Sequence, residues 1–419
     1  MIHRKSWLAV LAVGCLVTPL AHATNGYFAI GYGEKSVGMG GVGIALPQDA
    51  LAAAANPAGM VWVGDRTDIG MEWFRPNRDS TITGNGAGAN GYYDGNSSQN
   101  FFIPDFGYNR MVTNDSSVGV SIFGNGGMNT NYGSNPFQSF SRTGQLGNAG
   151  INMAQLFVSP TFSTKLNATN SVGISLNLAY QTFNDNGLQP FAGISSSAGN
   201  LTNNGTDSST GYGLRIGWTG QMSSQLTLGA TYQTKTWMGS FNNYSGLFAN
   251  SGSFDIPANY GVGMAFKATQ TTTVAMDVER ILYSGVSSVS NPLYFPPSAS
   301  QLLGAGNGTG FGWSDINVIK LGVSHVMNSK LTLRAGFNYN TQPIAANQTF
   351  FNILAPGIVQ NHATLGATYI LPNKAELTVS YMHAFANNVN GSTSIPTGFG
   401  GGNANLSMRE DELGVSYGF

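Results

Sequence analysis

The sequence has little charge, a single cysteine and only one long apolar run. Charged residues make up 9% of its 419 residues, against about 25% in ordinary globular domains. The cysteine, Cys15, lies within that first apolar run, so a chain that loses the run has no disulfide. No later apolar run approaches the roughly 20 residues that a membrane-spanning helix requires. These absences exclude a disulfide scaffold and a helical membrane protein.

Residues 1–23 predict a secretory signal peptide. They combine a basic start at residues 3–5, an apolar stretch at residues 7–20 and an A-x-A cleavage site ending at Ala23. Cleavage there leaves 16 basic and 19 acidic residues. Such a balance offers no basic stripe for nucleic acid, so no nucleic-acid partner is predicted.

Apolar side chains alternate with small or polar ones in many segments of the mature chain. This period of two predicts strands with one apolar and one polar face. Lipid requires every backbone polar group to be paired internally, which leaves closed barrels once helices are excluded. Examples are Val172 to Tyr180, Tyr212 to Trp218, Tyr260 to Phe266, Leu331 to Tyr339, Leu377 to Phe385 and Leu413 to Phe419.

Most charged side chains fall on the polar register of these strands. Because Arg or Lys at the lipid midplane would cost about 2–4 kcal/mol, the polar register is expected to face a lumen. Lumen lining, ion pairing and ligand binding all remain open for these charges, while Arg409 and Asp411 fall on the outer register. The candidates for holding a carboxylate ligand are Arg215, Lys235, Lys267 and Arg334.

Tight turns alternate with long Gly-, Asn- and Ser-rich loops from residue 66 onward. Six turns and seven loops would join fourteen strands, as in bacterial outer-membrane barrels. The predicted fold is therefore an all-β, transmembrane, antiparallel β-barrel of about fourteen strands over residues 66–419.

Residues 24–65 do not follow the strand pattern. Six glycines between Gly31 and Gly43 precede an Ala-rich stretch that Asn56-Pro57 would end. Small residues permit close backbone packing. We expect this N-terminal segment to plug the barrel lumen.

The N-terminal segment resembles the FadL/TodX family of outer-membrane transporters for hydrophobic compounds. The residues that carry the resemblance are Asn25-Gly26, Ser36 to Gly41, Asp49-Ala50 and Asn56-Pro57-Ala58-Gly59. It implies that residues 24–65 form a hatch inside the barrel, with Asn56, Pro57 and Ala58 as the hatch motif. It also implies an inward kink of the third strand. Two interpretations remain open for Gly124, Gly126 and Gly127: they form that kink, or they begin an outer loop.

Several predicted outer loops carry apolar clusters, which usually indicate binding or association. In the resembling family, a hydrophobic groove between the third and fourth outer loops takes the first ligand contact. The corresponding loops here are residues 184–210 and 242–256, which makes Phe191, Ile194, Leu247 and Phe248 the candidate ligand-binding residues. The alternative, a lid of loops packed on one another, would also bury these side chains.

The resemblance implies passive uptake of long-chain fatty acids or hydrocarbons across a Gram-negative outer membrane, with loop capture, hatch rearrangement and lateral exit. The alternative is a general porin or structural barrel. No enzymatic activity, cofactor or metal is predicted, because the mature chain has only three histidines and no recognisable catalytic or ligand motif. The expected partners are a hydrophobic ligand, outer-membrane lipid with lipopolysaccharide, and the barrel-assembly machinery, which would recognise the terminal Phe419. A monomer is expected.

Overall fold

Fourteen antiparallel strands close into a barrel in the computed structural model, which describes residues 24–142 and 144–419. The predicted signal peptide lies outside the described residues. Each strand pairs with its neighbours in sequence, and the last pairs with the first, so the predicted barrel is confirmed. The strands are β1 (Arg66–Thr83), β2 (Phe101–Met111), β3 (Ser116–Asn129), β4 (Gly150–Lys165), β5 (Asn170–Asn186), β6 (Asp207–Gln221), β7 (Leu226–Gln233), β8 (Asn259–Lys267), β9 (Thr272–Ile281), β10 (Ile316–Val326), β11 (Leu331–Asn340), β12 (Asn361–Ile370), β13 (Glu376–Val389) and β14 (Asn403–Gly418).

Short elements decorate the barrel. Two short strands, Gly91–Asp94 and Trp237–Met238, pair with β1 and β6. The α-helical turns are Glu34–Val37, Met60–Val63, Ala249–Gly252 and Ser287–Ser290. The 3-10 turns are Ala52–Ala54, Pro57–Gly59, Gln138–Phe140, Gln189–Ile194, Ala198–Asn200, Asn242–Tyr244, Tyr283–Gly285, Ala299–Gln301, Ala346–Gln348, Phe351–Ile353 and Thr397–Phe399. None of the helices in the described residues is long and apolar enough to cross a membrane.

The apolar register faces outward, as the alternation predicts. On β5, Leu176 is 39% exposed while Ser175 and Asn177 are 0% and 2% exposed. The side chains that would contact lipid are therefore apolar, and the small or polar ones face inward. Arg409 and Asp411 lie on the outer register, where Asp411 accepts hydrogen bonds from Tyr381 (2.6 Å) and pairs with His383 (2.8 Å).

The N-terminal segment fills part of the barrel interior, and glycines of the barrel wall make room for it. A Cβ added at Gly173 would collide with Pro57, and one at Gly217 would collide with Asn56. Side chains at these positions would push the segment away from the wall. The same close approach occurs between Gly107 and Ala50, Gly229 and Ile44, Gly263 and Ile44, Gly322 and Met39, Gly336 and Gly40, and Gly366 and Gly38.

Candidate functional site

The Asn56-Pro57-Ala58 motif joins the N-terminal segment to the barrel wall. Asn56, 1% exposed, donates from Nδ2 to the carbonyls of Ile44 (2.7 Å) and Trp218 (3.0 Å). Its Oδ1 accepts from the Ala58 N–H at 3.1 Å, which caps the turn that begins at Pro57. One amide therefore terminates the Ala-rich stretch and also attaches it to β6.

The carbonyl of Ala58 continues this attachment. It accepts from the hydroxyls of Ser163 on β4 (3.1 Å) and Ser171 on β5 (2.8 Å). Since β4 pairs with β5 and β5 pairs with β6, the motif is held by three consecutive strands. Buried hydrogen bonds of this kind each contribute roughly 0.5–1.5 kcal/mol.

Charged groups fasten the opposite side of the N-terminal segment. Lys35 pairs with Glu376 at 2.6 Å. Asp277 on β9 accepts from the backbone N–H groups of Gly43 (2.7 Å) and Ile44 (3.0 Å). Charge-assisted bonds such as these are stronger than neutral ones. The segment is thus bonded around the barrel circumference.

An aromatic cluster covers the start of the N-terminal segment. The Tyr27 ring lies 5.3 Å from that of Tyr283, 5.9 Å from that of Trp313 and 6.1 Å from that of Phe254. Burial raises the pKa of Tyr283, so its hydroxyl keeps a proton. That hydroxyl donates to the Asn25 carbonyl at 2.6 Å, which fixes the segment's first residues beneath the loops.

β3 contains a bulge where it meets the N-terminal segment. Its register on β4 shifts between Gly124 and Gly126, leaving Asn125 as the extra residue. A Cβ at Gly126 would collide with the Tyr27 carbonyl. The Gly127 N–H donates to that carbonyl at 3.1 Å, so the segment takes the place of a neighbouring strand here.

The ladder between β2 and β3 ends at this bulge. It runs from the Met111–Ser117 pair to the Phe106–Ile122 pair and goes no further, although β3 continues on β4 to Asn129. Beyond Asn129, Asn131 exchanges backbone hydrogen bonds with Gly95 and Ser97. Among the described residues, β3 therefore has no backbone pairing with β2 between Ile122 and the end of the strand at Asn129.

The outer loops form an open groove of about 590 Å³. Ile194 and Phe399 give it apolar walls, and the exposed Arg142 lies at its edge. Beneath it, the buried ring of Phe191 lies 5.3 Å from that of Phe399 and 5.5 Å from that of Phe351. The groove is lined by Ala87, Ser139, Phe140, Ser141, Arg142, Gln189, Pro190, Ala192, Gly193, Ile194, Phe295, Gly398 and Phe399.

One connected cluster of buried apolar side chains joins this groove to the bulge. It extends from Phe399 and Phe191 under the groove to Tyr27 and Phe28, and to Phe123 on β3. Phe28 forms a backbone bridge with Gly126. An apolar environment thus continues from the outer loops to the stretch of wall without strand pairing.

The four apolar candidate residues occupy different parts of this cluster. Ile194 lines the groove and Phe191 lies under it, within a stack that includes Phe350. Leu247 and Phe248 are buried away from the groove, and the Phe248 ring lies 4.9 Å from that of Phe254. The structure therefore has both features, an open groove lined by Ile194 and a layer of packed loops that buries Phe191, Leu247 and Phe248.

The four candidate cations do not converge on one site. Arg215 donates to the Ala55 carbonyl (3.0 Å) and Arg334 to the Gln48 side chain (3.2 Å), so both contact the N-terminal segment. Lys235 pairs with Asp255 at 2.9 Å. Lys267 is exposed at the end of β8. Two of these cations, Arg215 and Arg334, therefore contact the N-terminal segment, and a third, Lys235, forms an ion pair.

Several residues of the buried apolar cluster and of the groove were not identified from the sequence. Tyr283 and Trp313 lie in loops, where no periodicity marks them, yet they contact Tyr27. Phe140 and Phe399 line the groove from two loops far apart in sequence. Aromatic residues in otherwise Gly- and Ser-rich loops were the available signal.

Comparison with known proteins agrees with this architecture. A family model described as "Outer membrane protein transport protein (OMPP1/FadL/TodX)" matches residues 23–411. No curated protein sequence matches the chain with significance.

Solved structures share the fold at low sequence identity. The Pseudomonas putida toluene transporter TodX is 21% identical, with a TM-score of 0.68 over 93% of this chain and 98% of TodX. A Pseudomonas aeruginosa FadL homologue is 15% identical, with a TM-score of 0.70 over 94% and 99%. The Ralstonia pickettii toluene transporter TbuX is 20% identical, with a TM-score of 0.63 over 93% and 98%.

Proposed function

The chain belongs to the outer membrane protein transport protein family (OMPP1/FadL/TodX), and from this premise we propose that it carries hydrophobic small molecules inward across the outer membrane. The observation that supports this most directly is the connected apolar cluster from the outer groove to the β3 bulge. A pore for polar solutes would instead need a continuous polar path through the barrel. The proposed cargo is a long-chain fatty acid or a hydrocarbon, as in the resembling family.

Capture takes place in the groove lined by Ile194 and Phe399. Burying an alkyl chain there stabilises the complex by about 0.8 kcal/mol per methylene. Arg142 at the groove's edge would attract the carboxylate of a fatty acid. A hydrocarbon would rely on the apolar walls alone.

Inward movement then follows the buried aromatic side chains toward Tyr27 and Phe28. Their contacts with Tyr283 and Gly126 close the path in this conformation. The N-terminal segment would act as the hatch by releasing these contacts. Cargo would leave sideways through the wall between β2 and β3, where strand pairing is absent. Flux follows the concentration gradient.

Uptake by a deletion strain tests this function. Cells with and without the protein receive labelled alkane, toluene, a long-chain fatty acid or a disaccharide. We expect at least one hydrophobic compound to enter faster when the protein is present, and the disaccharide to enter at the same rate in both. Faster uptake of the disaccharide alone would indicate a general porin instead.

A further inference from the structure

Carboxylates cluster where the N-terminal segment meets β1, β2 and β14. Oxygens of Glu34, Glu72 and Asp105 all lie within 4.8 Å of one another, and all three residues are buried. Glu412 and Asp49 are further acidic neighbours of Glu34. Buried like charges at this distance repel strongly unless a positive charge or protons intervene.

The positive side chains near the cluster already have other hydrogen-bond or ion-pair partners. Lys35 binds Glu376, and Arg66 binds both Glu376 and Asp68. Arg334 donates to Gln48 and Thr368. Together with Asp49, Asp68, Glu376 and Glu412, the central three make seven carboxylates beside these three cations among the residues that the structure describes.

Two of the central carboxylates have oxygens without a hydrogen bond. Asp105 is 7% exposed, and neither of its oxygens has a hydrogen bond of ordinary geometry to any described residue, although the Gly70 N–H lies close enough to interact with them. Glu34 is 0% exposed, and its Oε1 also lacks a partner. A buried acceptor without a donor costs roughly 1–3 kcal/mol or more when charged, so these oxygens are suited to coordinate a cation.

The barrel wall is shaped to hold these carboxylates together. A Cβ at Gly414 would collide with the Glu34 carboxylate, and one at Gly70 would collide with that of Asp105. The Ser380 hydroxyl donates to Oε2 of Glu34, so one oxygen of this carboxylate already has a donor on β13. Glycines on β14 and β1 therefore permit a convergence that ordinary side chains would prevent.

From this geometry we propose that Glu34, Glu72 and Asp105 bind a divalent cation, with Ca²⁺ as the preferred ion. Carboxylate oxygens are its usual ligands, at 2.3–2.6 Å from the ion, so opposite oxygens lie up to about 5 Å apart. An octahedral Mg²⁺ would hold opposite oxygens only about 4.2 Å apart and keeps more of its water. The bound ion would link the N-terminal segment, through Glu34, to β1 and β2.

The consequence is a cation-dependent attachment of the N-terminal segment. With the ion present, Glu34 is drawn to the wall. With the ion removed, repulsion between Glu34 and the two strand carboxylates weakens docking. The inference concerns binding and stability, so its test does not require that the proposed cargo be correct.

Titration calorimetry and thermal unfolding test the site in the purified, detergent-solubilised mature protein after treatment with EDTA. We expect one Ca²⁺ per chain to bind and to raise the unfolding temperature. Asp105→Asn and Glu34→Gln should each weaken Ca²⁺ binding at least tenfold. Glu34 lies outside the barrel strands, so Glu34→Gln remains informative if Asp105→Asn impairs barrel assembly.

Glu279→Gln is the matched control, because Glu279 is an inner-wall carboxylate that pairs with Lys320 at 2.5 Å. This variant should bind Ca²⁺ like the wild type. Absence of Ca²⁺ binding by the wild type, or equal binding by Glu34→Gln, would overturn the proposal. Stabilisation by acid alone, with no heat on Ca²⁺ addition, would overturn it too and assign protons to the cluster.

Discussion

Replacing Asn56 by alanine should loosen the N-terminal segment and leave the barrel intact. The change removes the cap on the Ala58 N–H, worth about 1 kcal/mol. It also removes the two bonds from the Asn56 side chain to the barrel wall, to the Trp218 carbonyl (3.0 Å) and to Oγ1 of Thr219 (3.2 Å), each worth about 0.5–1.5 kcal/mol. The two wall bonds together, about 1–3 kcal/mol, would raise the ratio of undocked to docked segments by about 5- to 140-fold, at 1.4 kcal/mol per tenfold change.

Planar-bilayer conductance is the appropriate assay, because an undocked segment opens the lumen to small ions. Asn56→Ala should show more frequent or longer openings than the wild type. Asn340→Ala is the control: Asn340 is a fully buried asparagine at the end of β11 that donates to the carbonyls of Thr341 and Val359. It should lower thermal stability without adding openings. Equal conductance of Asn56→Ala and the wild type would refute the hatch assignment.

Two further predictions concern the outer groove and the last strand. Ile194→Asp should raise the KM for uptake of a hydrophobic compound by roughly 10- to 100-fold, since burying an Ile-sized surface is worth about 1.5–3 kcal/mol. Ala87→Asp, at an exposed residue of the same groove, serves as a comparison, because it adds the same charge without removing a large apolar side chain. An unaltered KM for Ile194→Asp would argue against capture in this groove. Deleting Phe419 should reduce the amount of folded barrel on a heat-modifiability gel, because its backbone N–H and carbonyl both bond to Thr67 and close the barrel; normal assembly would show that the terminal Phe is dispensable.

The strands could be predicted from the sequence because lipid requires apolar side chains to alternate with inward-facing small or polar ones. From Ile174 to Gln181 on β5, exposed apolar side chains alternate with buried small or polar ones, and this order keeps polar groups out of the hydrocarbon. Breaks in the pairing register between strands were harder to predict. Gly124, Gly126 and Gly127 were compatible with a kink or with a loop, since a bulge depends on which residue of β4 each one opposes.

The site could be predicted only in part from the sequence, because the packing of loops leaves no periodic pattern. Phe191 and Ile194 were singled out by their apolar character, but their separation into a buried floor and a groove wall depends on Phe399 and Phe350 from other loops. The acidic cluster was missed for a similar reason. Glu34 comes from the N-terminal segment and Asp105 from β2, and only the fold brings them together.

In the proposed mechanism, cargo leaves through the wall where β3 departs from β2. Deleting Asn125, the extra residue of the bulge, would restore an unbroken register between β3 and β4 and should straighten the strand. The decisive measurement is the initial uptake rate of a labelled hydrophobic compound by deletion cells that carry this variant, compared with cells that carry a Gly199 deletion in an outer loop, at equal amounts of folded barrel. If cargo leaves sideways, deleting Asn125 should lower uptake to the rate of cells without the protein, while deleting Gly199 should not. Uptake at the wild-type rate after Asn125 deletion would contradict lateral exit.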